Sequence, residues 1–332
     1  MKLTPIILTV ALLCSCTNGV RQHFNSGDAL GTTYNITFFS PANTDLQPGI
    51  DSVFAAVNAS MSTYIEGSDI SRINRGDTTV VVDAMFREVL SVSRAVYTRT
   101  RGYFDPTVGV LVNAWGFGPD PGIKMDSTIV DSLLQYVGFN KIALTPDNRI
   151  HKEVPGIRFD FNAIAKGYAI DRLAALLETR GMHDYLVEVG GEVVARGMNL
   201  SKGKQWVVGI DDPQAFQERT LKKKIQLSNR ALASSGNYRK FRIDSLTGRR
   251  FVHTIDPITG FTKNSNVLAA SVIANTCAVA DAYATAFMAM DLDESIKLLV
   301  AQKELEAYII YLNEKGEAEE FMTTGFGQLV VD

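Results

Sequence analysis

The stretch "TCAVADAYATAF", residues 276–287, is a run of small and apolar side chains that reads as a buried helix, yet it carries Asp281 with Thr285 four residues later. Helical side chains four apart stand one turn above each other, so this carboxylate and hydroxyl aim at one place, with Cys277 and Ala278 one turn earlier. A charged carboxylate on an apolar face is costly to bury. It requires a cation, a cluster of donors or a raised pKa. Hard oxygen ligands of this type suit Mg²⁺, which takes few protein ligands and completes its shell with water and substrate phosphates. Equally, Asp281 can pair with an arginine while Thr285 bonds back to its own helix. Spacing alone leaves both readings open.

The 332 residues suffice for one large domain or two modest ones. Lys and Arg number 33 against 36 Asp and Glu, and no stretch is strongly basic, so nucleic acid is not expected as a partner. A small ligand or a protein substrate is. No GxGxxG opens a helix, and no Walker-type phosphate loop, CxxC pair or HExxH helix occurs, which argues against dinucleotide-fold, P-loop, zinc and redox-thiol chemistry.

The opening residues "MKLTPIILTVALLCSC" have Lys2, an apolar core from Ile6 to Leu13 and small residues after it, the pattern of a secretory signal. The apolar run is too short to span a bilayer as a mature helix. Leu13-Cys14-Ser15-Cys16 resembles the lipobox of bacterial lipoproteins, which would make Cys16 the lipidated first residue. An ordinary cleaved signal with an incidental cysteine is the alternative. The expected organisation is a signal over residues 1–15, a polar tether over 16–28 and one catalytic domain over 29–332. Only Cys277 then remains in the body of the domain, so no internal disulfide is available.

"TTYNITFF" reads as a strand, and "DSVFAAVNASM" and "DAMFREVLSVSRAVYTRTRG" as helices, the second capped by Gly102. Short strands then dominate: "YLVEVGGEVVARG", "KQWVVGIDD", "KKIQLS", "LAASVIA" and "EAYIIYL". Helices interrupt these strands without alternating regularly. The pattern predicts an α+β fold, with largely antiparallel sheets packed with helices in one compact unit.

Four further stretches carry candidate chemistry. In "RFDFNAIAKGYAIDRLAALL" a short strand ending at Asp160 passes into a helix with Asn162 as its N-cap, and Lys166 adds positive charge near the first turn. Such a turn is a good anion seat. A capped helix with an exposed lysine is the plain alternative. Ser234-Ser235-Gly236 in "RALASSGNYRKF" can form a tight polar turn facing a ligand, or merely a hairpin turn. His253 in "FVHTIDPITG" can act as a base or sit as a structural histidine. Gly190-Gly191 allows close approach of a flat group or marks a β-bulge.

Taken in order, "GDALGTTYNITF", "MSTYIEGSDISRIN", "GYFDPTVGVLVNAWGFG", "DFNAIAKGYAIDRL", "LVEVGGEV", "WVVGIDDP", "ALASSGNYRKF", "HTIDPITG" and "CAVADAYATAF" resemble the motif succession of the ApbE family of FAD:protein FMN transferases. The resemblance runs from about Gly27 to Gln328. It implies a fold of the ApbE, T-fold type. It also implies Mg²⁺-dependent cleavage of FAD, with FMN passed to a Thr or Ser hydroxyl of a target protein and AMP released. By that likeness Asp281, Thr285 and the carbonyl of Ala163 hold the metal, and Leu30, Tyr64, Tyr103, Phe104, Asp105, Asp160, Lys166 and His253 bind the flavin substrate. His253 is also the candidate base on the acceptor hydroxyl. The family usually has methionine where this chain has Leu30, which keeps the apolar volume but loses a polarizable sulfur. The implied acceptors are flavoprotein subunits of Na⁺-translocating NADH:quinone reductase and related membrane complexes, reached from a lipid anchor on the periplasmic side. An FAD pyrophosphatase, using water as acceptor, and a non-catalytic flavin-binding lipoprotein are the alternatives.

Overall fold

A computed structural model of the chain describes residues 19–41, 44–215, 220–237, 241–243, 250–263 and 265–331. The expected signal and Cys16 lie outside these residues. A first hairpin, β1 (Arg21–Ala29) and β2 (Thr32–Ser40), is followed by helices α1 (Gln47–Met61), α2 (Asp69–Asn74), α3 (Ala84–Arg99), α4 (Gly109–Ala114) and α5 (Ser127–Leu134). A small hairpin, β3 (Ile142–Leu144) and β4 (Ile150–Lys152), leads to α6 (Ala165–Thr179). Next come β5 (Tyr185–Val189), β6 (Glu192–Arg196), β7 (Trp206–Asp211), β8 (Leu221–Leu227), β9 (Arg230–Gly236), β10 (Phe241–Ile243) and β11 (Arg250–Val252). The chain closes with β12 (Val267–Ala274), α7 (Cys277–Ala289), α8 (Leu292–Ala301), β13 (Glu306–Leu312), β14 (Ala318–Met322), α9 (Thr324–Gly327) and β15 (Val330–Val331).

An eight-stranded antiparallel sheet, ordered β1-β2-β5-β6-β9-β12-β13-β14, forms the centre. Both faces are buried, and the period-two alternation of strand side chains sorts them. Ile36, Phe38, Val187, Val194, Val272 and Ile309 join the main core with the helices. Their neighbours Phe39, Val193, Ile273, Tyr308 and Ile310 pack instead against Trp206, Val208, Ile225 and Leu227. Those residues belong to a three-stranded sheet, β15-β8-β7, that covers the opposite face. The fold is α+β, as the strand-rich pattern predicts. Among the described residues no helix is long and apolar enough to cross a membrane.

α7 lies within the main core and is buried nearly all round. Its small residues allow α6 to approach closely: a Cβ on Gly167 would fall 2.4 Å from the carbonyl oxygen of Cys277, so only glycine fits there. Asp171 on α6 then accepts hydrogen bonds from the Cys277 and Ala278 amides at 2.7 and 2.9 Å, satisfying the orphan donors that open α7.

Local expectations fail in four places. The segment read as a tether is mostly β1, whose every residue from Arg21 to Ala29 is paired with β2, so the folded domain begins near residue 21. Residues 158–160 contribute only an isolated bridge, Val108 to Arg158, and the N-cap of α6 is Ile164 rather than Asn162. α3 is capped by Thr100, with Arg101 and Gly102 beyond it at positive φ. Ser234-Ser235-Gly236 is no turn but the end of β9, paired with Ala269 to Ser271 of β12.

Candidate active site

The crossing of α6 and α7 builds the site. Asp281 is 4% exposed, and its Oδ2 accepts the Gly167 amide at 3.1 Å. Gly167 is in the first turn of α6, whose amides lack partners within the helix. The bond therefore fixes Asp281 at the positive end of α6, in the turn that Ala163 precedes. One helical turn along α7, the Thr285 hydroxyl lies 3.4 Å from Ser235 Oγ of β9. Ser235 shares its strand face with Ala231 and Ala233 of the main core, which explains why it points at α7.

Lys166 reaches from α6 to β6, where its Nζ lies 2.8 Å from Glu192 Oε1. Glu192 is 4% exposed, and its Oε2 has no hydrogen-bond partner. Burial and the Asp281 charge push the Glu192 carboxyl up to about 8, against the pull of Lys166. Burial also raises Asp281, opposed by Lys166 and the Gly167 amide. Lys166 is raised: burial opposes its charge, but Glu192 and Asp281 outweigh that. Two buried carboxylates thus act on one ammonium.

A second group lies around Asp160. It is buried, its Oδ1 accepts the Asn162 amide at 2.7 Å, and burial raises its pKa. Partial burial and the Asp160 charge together raise the phenol of Tyr64, which is 63% exposed. In the "YFD" block only Tyr103 stands half-buried at the surface, packed on the core. Phe104 is buried in that core, and Asp105 accepts from Thr107 and from the Phe139 amide. These two side chains hold the loop from inside.

Leu30 and Gly31 form the two-residue β1–β2 turn at φ 53° and 73°, and Leu30 packs on the main core. The left-handed conformation costs a leucine some strain, offset by that burial. His253 follows β11, half-buried, its ring edge-on to Phe117 with centroids 6.5 Å apart. The turn beyond it is held by Asp256, whose Oδ1 accepts the amides of Ile258 and Thr259. Lys166 and Thr285 thus lie with Asp281 at the α6–α7 crossing, Tyr64 is near enough to Asp160 to feel its charge, and His253 sits with the turn that closes on Asp256.

The ApbE family matches residues 30–309. The chain belongs to the ApbE family. An FAD:protein FMN transferase of Haemophilus influenzae is 33% identical over 333 residues, covering 95% of this chain and 94% of that protein. One from Escherichia coli K12 is 32% identical over 276 residues, covering 81% of this chain and 77% of its own. The flavin transferase ApbE of Vibrio cholerae superposes with a TM-score of 0.83 at 30% identity, covering 94% of this chain and 100% of that one. The apo flavinyl transferase ApbE of Pseudomonas stutzeri gives 0.82 at 26% identity, covering 93% and 97%. The chain is therefore a transferase enzyme.

A divalent cation fits this ApbE site on the chemistry of its donors. Asp281, Thr285 and the Ala163 carbonyl offer hard oxygens, and Lys166 is the ammonium set against the Asp281 and Glu192 carboxyls. Among the described residues no cluster of three or more His, Cys, Asp or Glu could cage a metal. Hard oxygen donors of this kind fit Mg²⁺, which uses few carboxylates and keeps water and phosphate oxygens, better than zinc. Glu192 is the residue that sequence reasoning missed. The sequence gives only a local hint, its place directly after Gly190-Gly191 two residues before the core residue Val194.

Proposed function

We propose that this ApbE protein is a Mg²⁺-dependent FAD:protein FMN transferase that attaches FMN to a Thr or Ser of a target flavoprotein and releases AMP. The observation that carries the reading is the buried Lys166–Glu192–Asp281 cluster, with Thr285, at the N-terminus of α6. Asp281, Thr285 and the Ala163 carbonyl would hold Mg²⁺, which when bound supplies charge neutralisation for the FAD phosphates.

The chain's own groups then have defined tasks. Lys166 and the amide end of α6 bind a phosphate of FAD. Tyr64, Tyr103 and the Asp160 loop hold the flavin end, while Leu30 lines the neighbouring turn. His253 accepts the proton from the acceptor hydroxyl as its oxygen bonds to the FMN phosphorus. The bond from that phosphorus to the bridging oxygen breaks, and the electron pair leaves with AMP. Phosphoryl transfer of this type needs alignment and charge more than covalent help.

The lipobox-like leader supports anchoring through Cys16 on the periplasmic face of a bacterial membrane. From there the domain would serve subunits of Na⁺-translocating NADH:quinone reductase or similar complexes. The test is to mix the domain from residue 19 onward with FAD, Mg²⁺ and an acceptor fragment bearing a Ser/Thr flavinylation motif, then read acceptor mass and AMP. An FMN adduct that chelator abolishes is the expected result. AMP and free FMN with an unmodified acceptor would point to the pyrophosphatase instead, and retained FAD with no turnover to a binding protein.

A further inference from the structure

Gly190 and Gly191 form the two-residue turn between β5 and β6, with φ of 59° and 98°. The turn is pinned from two sides. The Gly190 amide bonds the Thr33 carbonyl at 3.0 Å, and Glu188 Oε1 accepts the Gly191 amide at 2.6 Å. A Cβ on Gly190 would fall 3.4 Å from Lys166 Nζ, so the ammonium rests directly against this turn.

Glu192 is the first residue past the turn and faces the helices. An apolar residue would satisfy the fold there, as Val194 does two positions on. A buried carboxylate with one orphan oxygen instead costs stability. Lys166, at 30% side-chain exposure, is the more open partner of the pair. The arrangement is thus a buried acid behind a partly exposed ammonium, with Asp281 alongside.

Resting on the Mg²⁺-dependent transferase reading, we propose that Glu192 is a positioning residue of the transfer site. It holds the Lys166 ammonium against the glycine turn, where a substrate phosphate meets it, and with Asp281 it gives the pocket the negative charge that draws in a divalent cation. Glu192 and Lys166 therefore act on cation affinity with opposite signs.

Magnesium binding by titration calorimetry without FAD, at pH 8, tests this directly. Glu192→Gln is expected to weaken Mg²⁺ binding roughly tenfold, because one charge is lost from a low-dielectric pocket. Glu192→Asp should stay within about threefold of wild type, and Lys166→Met should bind Mg²⁺ several-fold more tightly. The melting temperature of Glu192→Gln should not fall, since the substitution removes a buried charge. With FAD and acceptor supplied, Glu192→Gln should raise KM for FAD more than it lowers kcat. Asp281→Asn serves as the control that loses Mg²⁺ binding. If Asp281→Asn loses the metal while Glu192→Gln binds it as wild type does, the role of Glu192 is overturned alone. If Asp281→Asn still binds Mg²⁺ normally, the metal reading falls and this inference with it. Lower melting temperature together with equal Mg²⁺ loss in Glu192→Gln, Glu192→Asp and Lys166→Met would mark a merely structural pair and overturn the proposal.

Discussion

Asp105 and Asp281 are both buried aspartates in motif-like stretches, 6% and 4% exposed, yet their surroundings differ in kind. Asp105 has donors on both of its oxygens. Its Oδ1 takes the amide and hydroxyl of Thr107 at 2.7 and 2.6 Å, and its Oδ2 the Phe139 amide at 3.1 Å. Asp281 accepts one amide, from Gly167, and feels the charges of Lys166 and of the Glu192 carboxyl paired with it. A buried carboxylate with donors on both oxygens stabilises a loop. One that is under-supplied with donors and positive charge is poised to take a ligand.

The largest effect expected from this contrast is on chemistry. Asp281→Ala should cut Mg²⁺-dependent FMN transfer by on the order of 10³-fold or more, with its far-ultraviolet circular dichroism unchanged. Transfer at the wild-type rate would break the comparison at its functional end.

Asp105→Ala should show the reverse. It leaves Phe139 and Thr107 without their acceptor, so denaturant unfolding should report a loss of about 2–4 kcal/mol, while protein still folded keeps its turnover. An unchanged midpoint with lost activity would assign Asp105 to the flavin after all.

Gly167→Ala probes the link between packing and site. Its Cβ would lie 2.4 Å from backbone, which cannot yield as a side chain can, so α6 and α7 must part. A stability loss of about 1–3 kcal/mol accompanied by weaker Mg²⁺ binding is the expected result. Stability loss with intact Mg²⁺ affinity would separate the two.

The contrast also predicts a pH dependence of stability. Glu192 is raised in the folded state from an ordinary 4.5 to about 8, and Asp171, mainly by burial, from 3.8 to about 6. A folded pKa above the unfolded one favours the protonated fold. The resulting stabilisation is full below the unfolded value and is lost as pH rises through the folded one. The metal-free protein should therefore lose a few kcal/mol of stability between about pH 4 and 8. Glu192→Gln should remove the upper part of that slope, leaving the part due to Asp171. A slope unaltered in that variant would contradict the charge assignment.

The same contrast explains what the sequence could disclose. α7 was legible because Asp281 and Thr285 sit at helical spacing in an apolar run, and spacing alone places them on one face. The main strands were legible from β-branched and aromatic runs, as in "TTYNITFF" and "EAYIIYL". β1 was not, because it is an edge strand with polar residues such as Gln22, Asn25 and Ser26. Edge strands favour polar residues that also suit tethers. Ser234 and Ser235 look like turn formers, but their strand role depends on neighbours in β12, distant in sequence. The donor on the second oxygen of Asp105 likewise comes from Phe139, which no local pattern reveals. Glu192 escaped because its meaning lies in Lys166 and Asp281, brought to it only by tertiary packing.

The most direct measurement is the intact mass of an acceptor fragment after incubation with FAD and Mg²⁺ and the wild-type, Asp281→Ala or Asp105→Ala protein, at a temperature where all three are folded. The account predicts an FMN adduct with wild type and Asp105→Ala, and none with Asp281→Ala. An adduct formed by Asp281→Ala, or a folded Asp105→Ala that forms none, would contradict it.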